Sequence, residues 1–135
     1  MRTAVIIEDE LNAQALLKRY LEKYCETDVV GEAGNVKDGI AMILDKKPDI
    51  VFLDISLPDQ NGFTLISQLQ PITFELIFAT AYDQYAIQAI KLSAADYLLK
   101  PTDISELRQA AKRAGYFYEA VIIYPVLFYY YFFYP

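Results

Sequence analysis

The sequence predicts a doubly wound α/β fold, in which a five-stranded parallel sheet carries helices on both faces. First, five short runs rich in aliphatic residues alternate with amphipathic segments between residues 3 and 113, a pattern typical of βαβ units. Second, the runs are largely apolar instead of alternating with polar residues, so both faces of each strand are expected to be buried. Third, the links between elements are short, which favours right-handed crossovers.

The elements follow one another in a regular order. The predicted strands span residues 4–7, 28–32, 50–53, 76–79 and 96–99. The second helix begins at Asn35, a good N-cap, and Pro71 ends the third. The fourth helix starts after Asp83, and the fifth opens at Asp103 with Glu106 three positions on, which resembles a capping box. The first two helices are expected to bury apolar faces, formed by Leu16, Leu17, Tyr20, Leu21 and Tyr24 and by Ile40, Ile43 and Leu44.

The composition limits the class of protein. A chain of 135 residues is expected to form one domain with a substantial core. The net charge of −6 argues against binding to a nucleic-acid backbone, which requires clustered Lys and Arg. The single cysteine, Cys25, excludes an internal disulfide and is expected near the end of the first helix. The start of the chain lacks the pattern of a secretory leader, which predicts a cytoplasmic location.

The chain contains no histidine. Zinc sites built on histidine, Ser-His-Asp triads and imidazole acid–base chemistry are therefore excluded. The chain also cannot carry a phosphohistidine, so any histidine chemistry has to come from a partner.

Residues 116–135 differ from the rest of the chain. They contain eleven Tyr or Phe and one charged residue, whereas residues 1–115 contain nine aromatic residues. We therefore interpret residues 1–115 as the folded domain and residues 116–135 as a non-native continuation, such as a frameshifted or vector-derived tail. A strand exchanged with a neighbouring molecule is an alternative. A transmembrane helix is disfavoured by Pro125, the seven tyrosines and the lack of a basic flank.

Charged side chains follow three of the predicted strands. Glu8 and Asp9 come after the first strand, Asp54 after the third, and Lys100 after the fifth. Ligands of open parallel sheets bind beyond the carboxyl ends of the strands, so we expect these side chains to converge. Three acids facing one lysine leave excess negative charge, which a hard cation such as Mg²⁺ neutralises through oxygen ligands. The pattern therefore predicts a site that handles phosphoryl groups.

Each of these residues also has a plainer interpretation. Asp54 is the predicted nucleophile, because a carboxylate can attack phosphorus and form an aspartyl phosphate; alone, it would be read as a turn cap. Glu8 and Asp9 are the predicted metal acids, although acids at a helix N-terminus also favour the helix dipole, which is the expected role of Glu10. Lys100 alone would be an ordinary surface lysine.

The set of motifs resembles a response-regulator receiver domain. It comprises ED after the first strand, DISLPDQNG after the third, TAY after the fourth and DYLLKP at the fifth. The stretch ATAYDQYAIQAIKLSAADYLLKP is most similar to receivers joined to LytTR-type DNA-binding domains. The resemblance covers residues 1 to about 114 and implies a flavodoxin-like sheet with strand order 2-1-3-4-5.

The resemblance implies roles for the acidic residues. Asp54 matches the phosphoacceptor, and Asp9 matches the acid that coordinates Mg²⁺ directly. Glu8 matches an acid that acts largely through water, at a position where aspartate is commoner. Ser56 matches the position whose backbone carbonyl binds the metal.

The resemblance also implies a switch. Thr80 and Tyr97 match a pair in which the hydroxyl moves to the phosphoryl group while the ring turns inward. Lys100 matches the lysine that pairs with phosphate, and Pro101 matches a proline whose peptide bond is usually cis.

These matches predict a phosphorylation switch in a two-component system. A sensor histidine kinase is the expected phosphodonor, and a homodimer through the fourth helix and fifth strand is the expected response. DNA binding is expected only through a C-terminal domain missing from this chain, and no membrane contact is expected.

Three other interpretations differ in the residues that they require. A phosphatase similar to haloacid dehalogenases also uses an aspartyl nucleophile, but it requires a second Asp where Ser56 stands, so the chain is not expected to be an enzyme. A degenerate receiver that signals without phosphate is the other alternative. Hydrolysis of nucleotides by a P-loop is excluded because the chain lacks its glycine-lysine motif.

Overall fold

A computed structural model of the chain describes residues 1–82, 84–91, 94–100 and 103–113. Its strands are β1 Arg2–Ile7, β2 Thr27–Ala33, β3 Ile50–Leu53, β4 Glu75–Thr80 and β5 Asp96–Leu99. Its helices are α1 Leu11–Tyr24, α2 Val36–Lys46, α3 Gly62–Gln68, α4 Ala86–Lys91 and α5 Ile104–Arg113. The predictions made for Asp83, Pro101 and residues 116–135 lie outside the described residues.

The five strands form one parallel sheet in the order β2-β1-β3-β4-β5. This order and the helices between the strands confirm the predicted fold class. The register places Ile7 beside Leu53, and Thr80 beside Leu99. The carboxyl ends of β1, β3, β4 and β5 therefore meet at one edge of the sheet, and the residues that follow them become neighbours.

The strands are apolar because both faces of the sheet are covered. Each of the four residues of β3 is at most 1% exposed. On one face, the sheet packs against buried residues of α2, α3 and α4, such as Ile43, Leu65 and Ala89. On the other, it packs against α1 and α5 through Leu21 and Leu107. The sheet is thus held between two helical layers, which fixes the strand ends relative to one another.

The helix ends follow local side-chain chemistry. The side chain of Asn35 accepts a hydrogen bond from the Asp38 amide at 2.8 Å, so its prediction as the N-cap of α2 is confirmed. Glu10 caps α1 by accepting from the Ala13 amide, which agrees with its expected role at a helix N-terminus. The prediction for Cys25 is also confirmed, since this half-buried residue is the C-cap of α1.

The predicted apolar faces of α1 and α2 are partly wrong. Leu16 is 47% exposed and Leu44 is 62% exposed, and Tyr24 is also exposed. The strip of helix that touches the sheet is narrower than the apolar face suggested by spacing, so residues at its margin remain in solvent. In α1 a polar residue, Gln14, is buried instead. Within the described ranges, no helix is long and apolar enough to cross a membrane.

Candidate functional site

The sheet ladder continues one residue beyond three of the strands. The Glu8 amide donates to the carbonyl of Ala33, the Asp54 amide to that of Ile7, and the Lys100 amide to that of Thr80, at 2.9 to 3.0 Å. These bonds fix the backbones of Glu8, Asp54 and Lys100 at the carboxyl edge of the sheet. The three residues follow their strands directly, so the sheet holds the position of each side chain.

One ammonium group joins two buried carboxylates at this edge. The Nζ atom of Lys100 contacts Oε1 of Glu8 and lies 3.0 Å from Oδ2 of Asp54. Glu8 is 5% exposed and Asp54 is 7% exposed. Burying carboxylates is costly unless they are paired, so Lys100 is required to keep both acids at this position. The structure thus brings together Glu8, Asp54 and Lys100, which were expected to converge because they follow the ends of strands.

The two carboxyls have opposite pKa shifts. Burial and the adjacent Asp54 carboxyl raise the pKa of Glu8 to about 7. Burial opposes ionisation of Asp54 as well, but contacts with the Glu8 carboxyl and the Lys100 ammonium outweigh it and lower the pKa of Asp54. The pKa of Lys100 is raised because its two acidic partners outweigh its burial. Asp54 is therefore the ionised member of the pair.

The acids fit a hard cation. Carboxylate oxygens of Glu8, Asp9 and Asp54 lie within 4.8 Å of one another. The second oxygen of Glu8, Oε2, is buried and finds no hydrogen-bond donor among the described residues when Glu8 is ionised. An oxygen of this kind is satisfied by sharing a proton with Asp54 or by a metal ion. Asp9 is exposed, so the cluster of three acids can be reached from solvent. Its carboxylate oxygens are the type of ligand that Mg²⁺ prefers.

The loop between β3 and α3 approaches Asp54 closely. The Ser56 amide donates to Oδ1 of Asp54 at 3.2 Å, while the metal-binding role of the Ser56 carbonyl stays a prediction. The Gly62 amide donates to the Ile55 carbonyl at 2.8 Å. A Cβ on Gly62 would lie 2.5 Å from the Asp54 carbonyl oxygen. Gly62 is the last residue of the DISLPDQNG motif, and the DQNG turn is the one signal in the sequence for this close approach, which the sequence analysis missed.

Gln14 was also missed by sequence reasoning. Its buried Nε2 donates to the backbone carbonyl of Glu8 and to that of Ala33, the latter at 3.4 Å. The side chain thereby ties α1 to the ends of β1 and β2, next to the acids. A glutamine in the middle of an amphipathic helix gives no sign of this role in the sequence.

The predicted switch residues share one neighbour. Thr80 is fully buried, and its hydroxyl oxygen accepts from the Tyr82 amide at 3.4 Å. Tyr97 is 5% exposed, and its hydroxyl donates to the Tyr82 carbonyl. Its ring lies 5.9 Å from that of Phe78. The structure therefore has the Tyr97 ring turned inward, and Tyr82 connects it to the threonine.

A cavity of about 380 Å³ adjoins the three charged side chains. It extends between the sheet and α1, where Leu16, Leu17 and Tyr20 contribute to its wall. Among the described residues, space is thus available beside the Asp54 carboxylate.

Comparison with known proteins identifies this arrangement. The family model for the response regulator receiver domain matches residues 4–112. The chain belongs to this family. It is a receiver domain of a two-component response regulator, as the motifs indicated.

Two curated response regulators are similar to this receiver. It is 46% identical over 114 residues to an uncharacterised response regulatory protein of Vibrio vulnificus, covering 84% of this chain and 47% of that protein. It is 43% identical over 115 residues to the sensory transduction protein LytT of Bacillus anthracis, with the same coverage of 84% and 47%. The chain therefore spans about half the length of the curated relatives it matches.

Solved structures agree with the fold. The response regulatory domain of mrkE from Klebsiella pneumoniae has a TM-score of 0.77 and 28% identity, covering 87% of this chain and 98% of that one. The BeF3-activated N-terminal receiver domain of RstA from the same organism has a TM-score of 0.68 and 31% identity, covering 82% and 98%.

The raised pKa of Glu8 predicts how the stability of the metal-free receiver depends on pH. A carboxyl whose pKa rises from 4.5 to about 7 on folding stabilises the fold below pH 4.5, and this contribution is lost as the pH rises through 7. Glu8→Gln removes that loss, so its free energy of unfolding at pH 8 should exceed that of the wild type by about 1–3 kcal/mol. Urea unfolding in EDTA from pH 5 to pH 8 measures this. Glu22→Gln, on the exposed face of α1, is the control, and parallel curves for Glu8→Gln and wild type would contradict the prediction.

Gly62→Ala tests the close approach to Asp54. The new Cβ would meet backbone atoms, 2.5 Å from the Asp54 oxygen and 3.0 Å from the Ile55 Cα, so the loop has to move. We expect a loss of about 1–3 kcal/mol in the free energy of unfolding and shifted amide resonances at Ser56. Gly34→Ala is the matched control, because its nearest atoms lie 3.8 Å away. Equal effects of the two substitutions would refute the argument.

Proposed function

We propose that this receiver is phosphorylated on Asp54 by a sensor histidine kinase and that Mg²⁺ is required. The observation that carries the proposal is the contact of one ammonium, Lys100, with Asp54 at 3.0 Å and with Glu8 in a buried group. A solvated turn cap would need neither the burial nor the lysine. The lowered pKa of Asp54 keeps the carboxylate ionised for attack.

In the proposed reaction, a carboxylate oxygen of Asp54 attacks the phosphorus of a phosphohistidine on the kinase. The new O–P bond forms as the P–N bond breaks, and the electron pair of that bond stays on the imidazole of the kinase. Lys100 contacts Oδ2 before the reaction and pairs with a phosphoryl oxygen afterwards. Its charge opposes the negative charge that develops on the transferred group.

The proposed metal ligands are the side chains of Glu8, Asp9 and Asp54 and the backbone carbonyl of Ser56, with Glu8 acting largely through water. When bound, Mg²⁺ supplies positive charge that neutralises the acids and the phosphoryl oxygens. The buried Oε2 of Glu8 supports this assignment, because it otherwise depends on a shared proton.

The proposed switch uses Thr80 and Tyr97. An aspartyl phosphate adds oxygens that can accept a hydrogen bond from the Thr80 hydroxyl and draw it away from the Tyr82 amide. The inward Tyr97, bonded to the Tyr82 carbonyl, is the arrangement that phosphorylation is proposed to favour. Local charge thereby biases a two-state element on the β4–β5 side of the sheet.

Asp54→Asn is expected to abolish labelling by acetyl phosphate in the presence of Mg²⁺, since an amide is not a nucleophile for phosphorus. Labelling is measured by intact mass and by loss of the phosphate in base. Asp45→Asn is the matched control, because its carboxylate is 73% exposed on α2, and it should label like the wild type. Acid-stable, base-labile phosphate that persists in Asp54→Asn would show that another residue is the acceptor.

We also propose that phosphorylation promotes a homodimer through α4 and β5. Ile87 on α4 is 56% exposed and Leu99 on β5 is 41% exposed, which gives this face apolar side chains to bury. In sedimentation experiments with BeF3 as phosphoryl mimic, Leu99→Asp should raise the dimer Kd about 10-fold or more. Leu44→Asp, which places the same charge at an exposed leucine of α2, should leave it unchanged. An equal effect of both would place the interface elsewhere.

The output is proposed from the relatives. Those named LytT are about twice as long as the matched region, and we propose that this receiver controls transcription through a LytTR-type DNA-binding domain outside the present residues. We propose that residues 1–115 form the receiver unit and that residues 116–135 are not part of it.

The alternative of a phosphatase similar to haloacid dehalogenases is not supported at Ser56, where such an enzyme requires a second Asp. Ser56 provides an amide to Asp54 but no carboxyl group to act as general acid and base, so we propose that the chain has no phosphatase turnover. A test with a generic phosphomonoester separates the two. Failure of Asp54 to accept phosphate would instead favour a receiver that signals without phosphate.

A further inference from the structure

Asp59 connects the loop after Asp54 to a different helix. It lies between β3 and α3, at the exposed end of the loop. Its Oδ1 accepts from the Val36 amide at 2.8 Å and its Oδ2 from the Lys37 amide at 3.1 Å. These partners are the first two residues of α2 and are 23 and 22 positions away in sequence.

This contact completes the N-terminus of α2. The first amides of a helix have no partner within the helix. In α2, Asp59 accepts from the first two and Asn35 accepts from the third, that of Asp38. The Val36 amide is the largest cause of the lowered pKa of Asp59, so Asp59 holds the helix as a carboxylate.

The other end of the same loop carries the proposed site. Oδ1 of Asp54 accepts from the Ser56 amide at 3.2 Å. Ser56 forms an isolated antiparallel bridge with Asn61, and the Gly62 amide donates to Ile55. The loop is therefore a short closed turn fixed at its base, and the contact of Asp59 with α2 fixes its far end.

We infer that Asp59 is a positioning residue for metal binding and phosphoryl transfer at Asp54, because it sets the placement of the loop that contains Ser56. The inference deepens the proposed function and rests on it. Asp59 acts through the loop backbone and does not touch the reacting atoms.

Asp38 provides a matched control. It is an exposed acid in the first turn of the same helix, and its side chain contacts Asn35 and not the loop. Asp38→Ala and Asp59→Ala each remove one carboxylate from the N-terminus of α2, and Asp59→Ala also removes the acceptor of its first two amides. Only Asp59→Ala releases the loop, so Mg²⁺ affinity separates a positioning role from a contribution to stability.

The experiment is a Mg²⁺ titration of the whole chain, followed by ¹H–¹⁵N spectra at a temperature where every variant is folded. Asp59→Ala should raise the Kd for Mg²⁺ roughly 10-fold, as for other residues that orient metal ligands, and Asp38→Ala should stay within about 2-fold of wild type. Asp59→Asn keeps one acceptor oxygen and should fall between them; it also serves as the test variant if Asp59→Ala does not fold.

The outcomes separate this inference from the function on which it rests. Equal Mg²⁺ affinities in the Asp59 and Asp38 variants would overturn the inference, while Mg²⁺-dependent labelling of wild-type Asp54 would still support the proposed function. A wild-type chain that binds no Mg²⁺ would overturn both.

Discussion

The contact of the Lys100 ammonium with two buried carboxylates is the interaction on which the site depends. Glu8 and Asp54 are almost fully buried, and two adjacent carboxylates without a cation would repel each other in surroundings of low dielectric. One lysine compensates for only part of this charge. The protein responds by holding Asp54 ionised while Glu8 takes up a proton near neutral pH. A cation that prefers oxygen ligands would relieve the remaining charge, which supports the proposed Mg²⁺ site.

Backbone contacts around the charged group restrict the movement of its residues. The sheet fixes the backbone of each participant by a hydrogen bond one residue past its strand. Gly62 lets α3 approach the Asp54 carbonyl, and Gln14 ties α1 to the Glu8 carbonyl. These two supporting contacts come from α3 and α1. A change in either helix therefore reaches the acids through backbone contacts.

Tyr82 connects the two proposed switch residues of β4 and β5. Its amide faces the Thr80 hydroxyl and its carbonyl faces the Tyr97 hydroxyl. A single peptide segment thus responds to both proposed switch residues. The Tyr97 ring is already buried, which is the position that the proposed switch assigns to the phosphorylated form.

The amino-acid sequence is sufficient to predict the strands, the strand-end acids and the lysine, because continuous apolar runs and their polar boundaries are local properties. It also determined the receiver motifs and the N-cap at Asn35. Which side chains meet became visible in the folded chain alone: examples are the buried amide of Gln14, the Asp59 contact with α2, and the inward Tyr97. These depend on packing between segments far apart in the chain, where burial and hydrogen-bond partners come from other elements, and no local pattern encodes that.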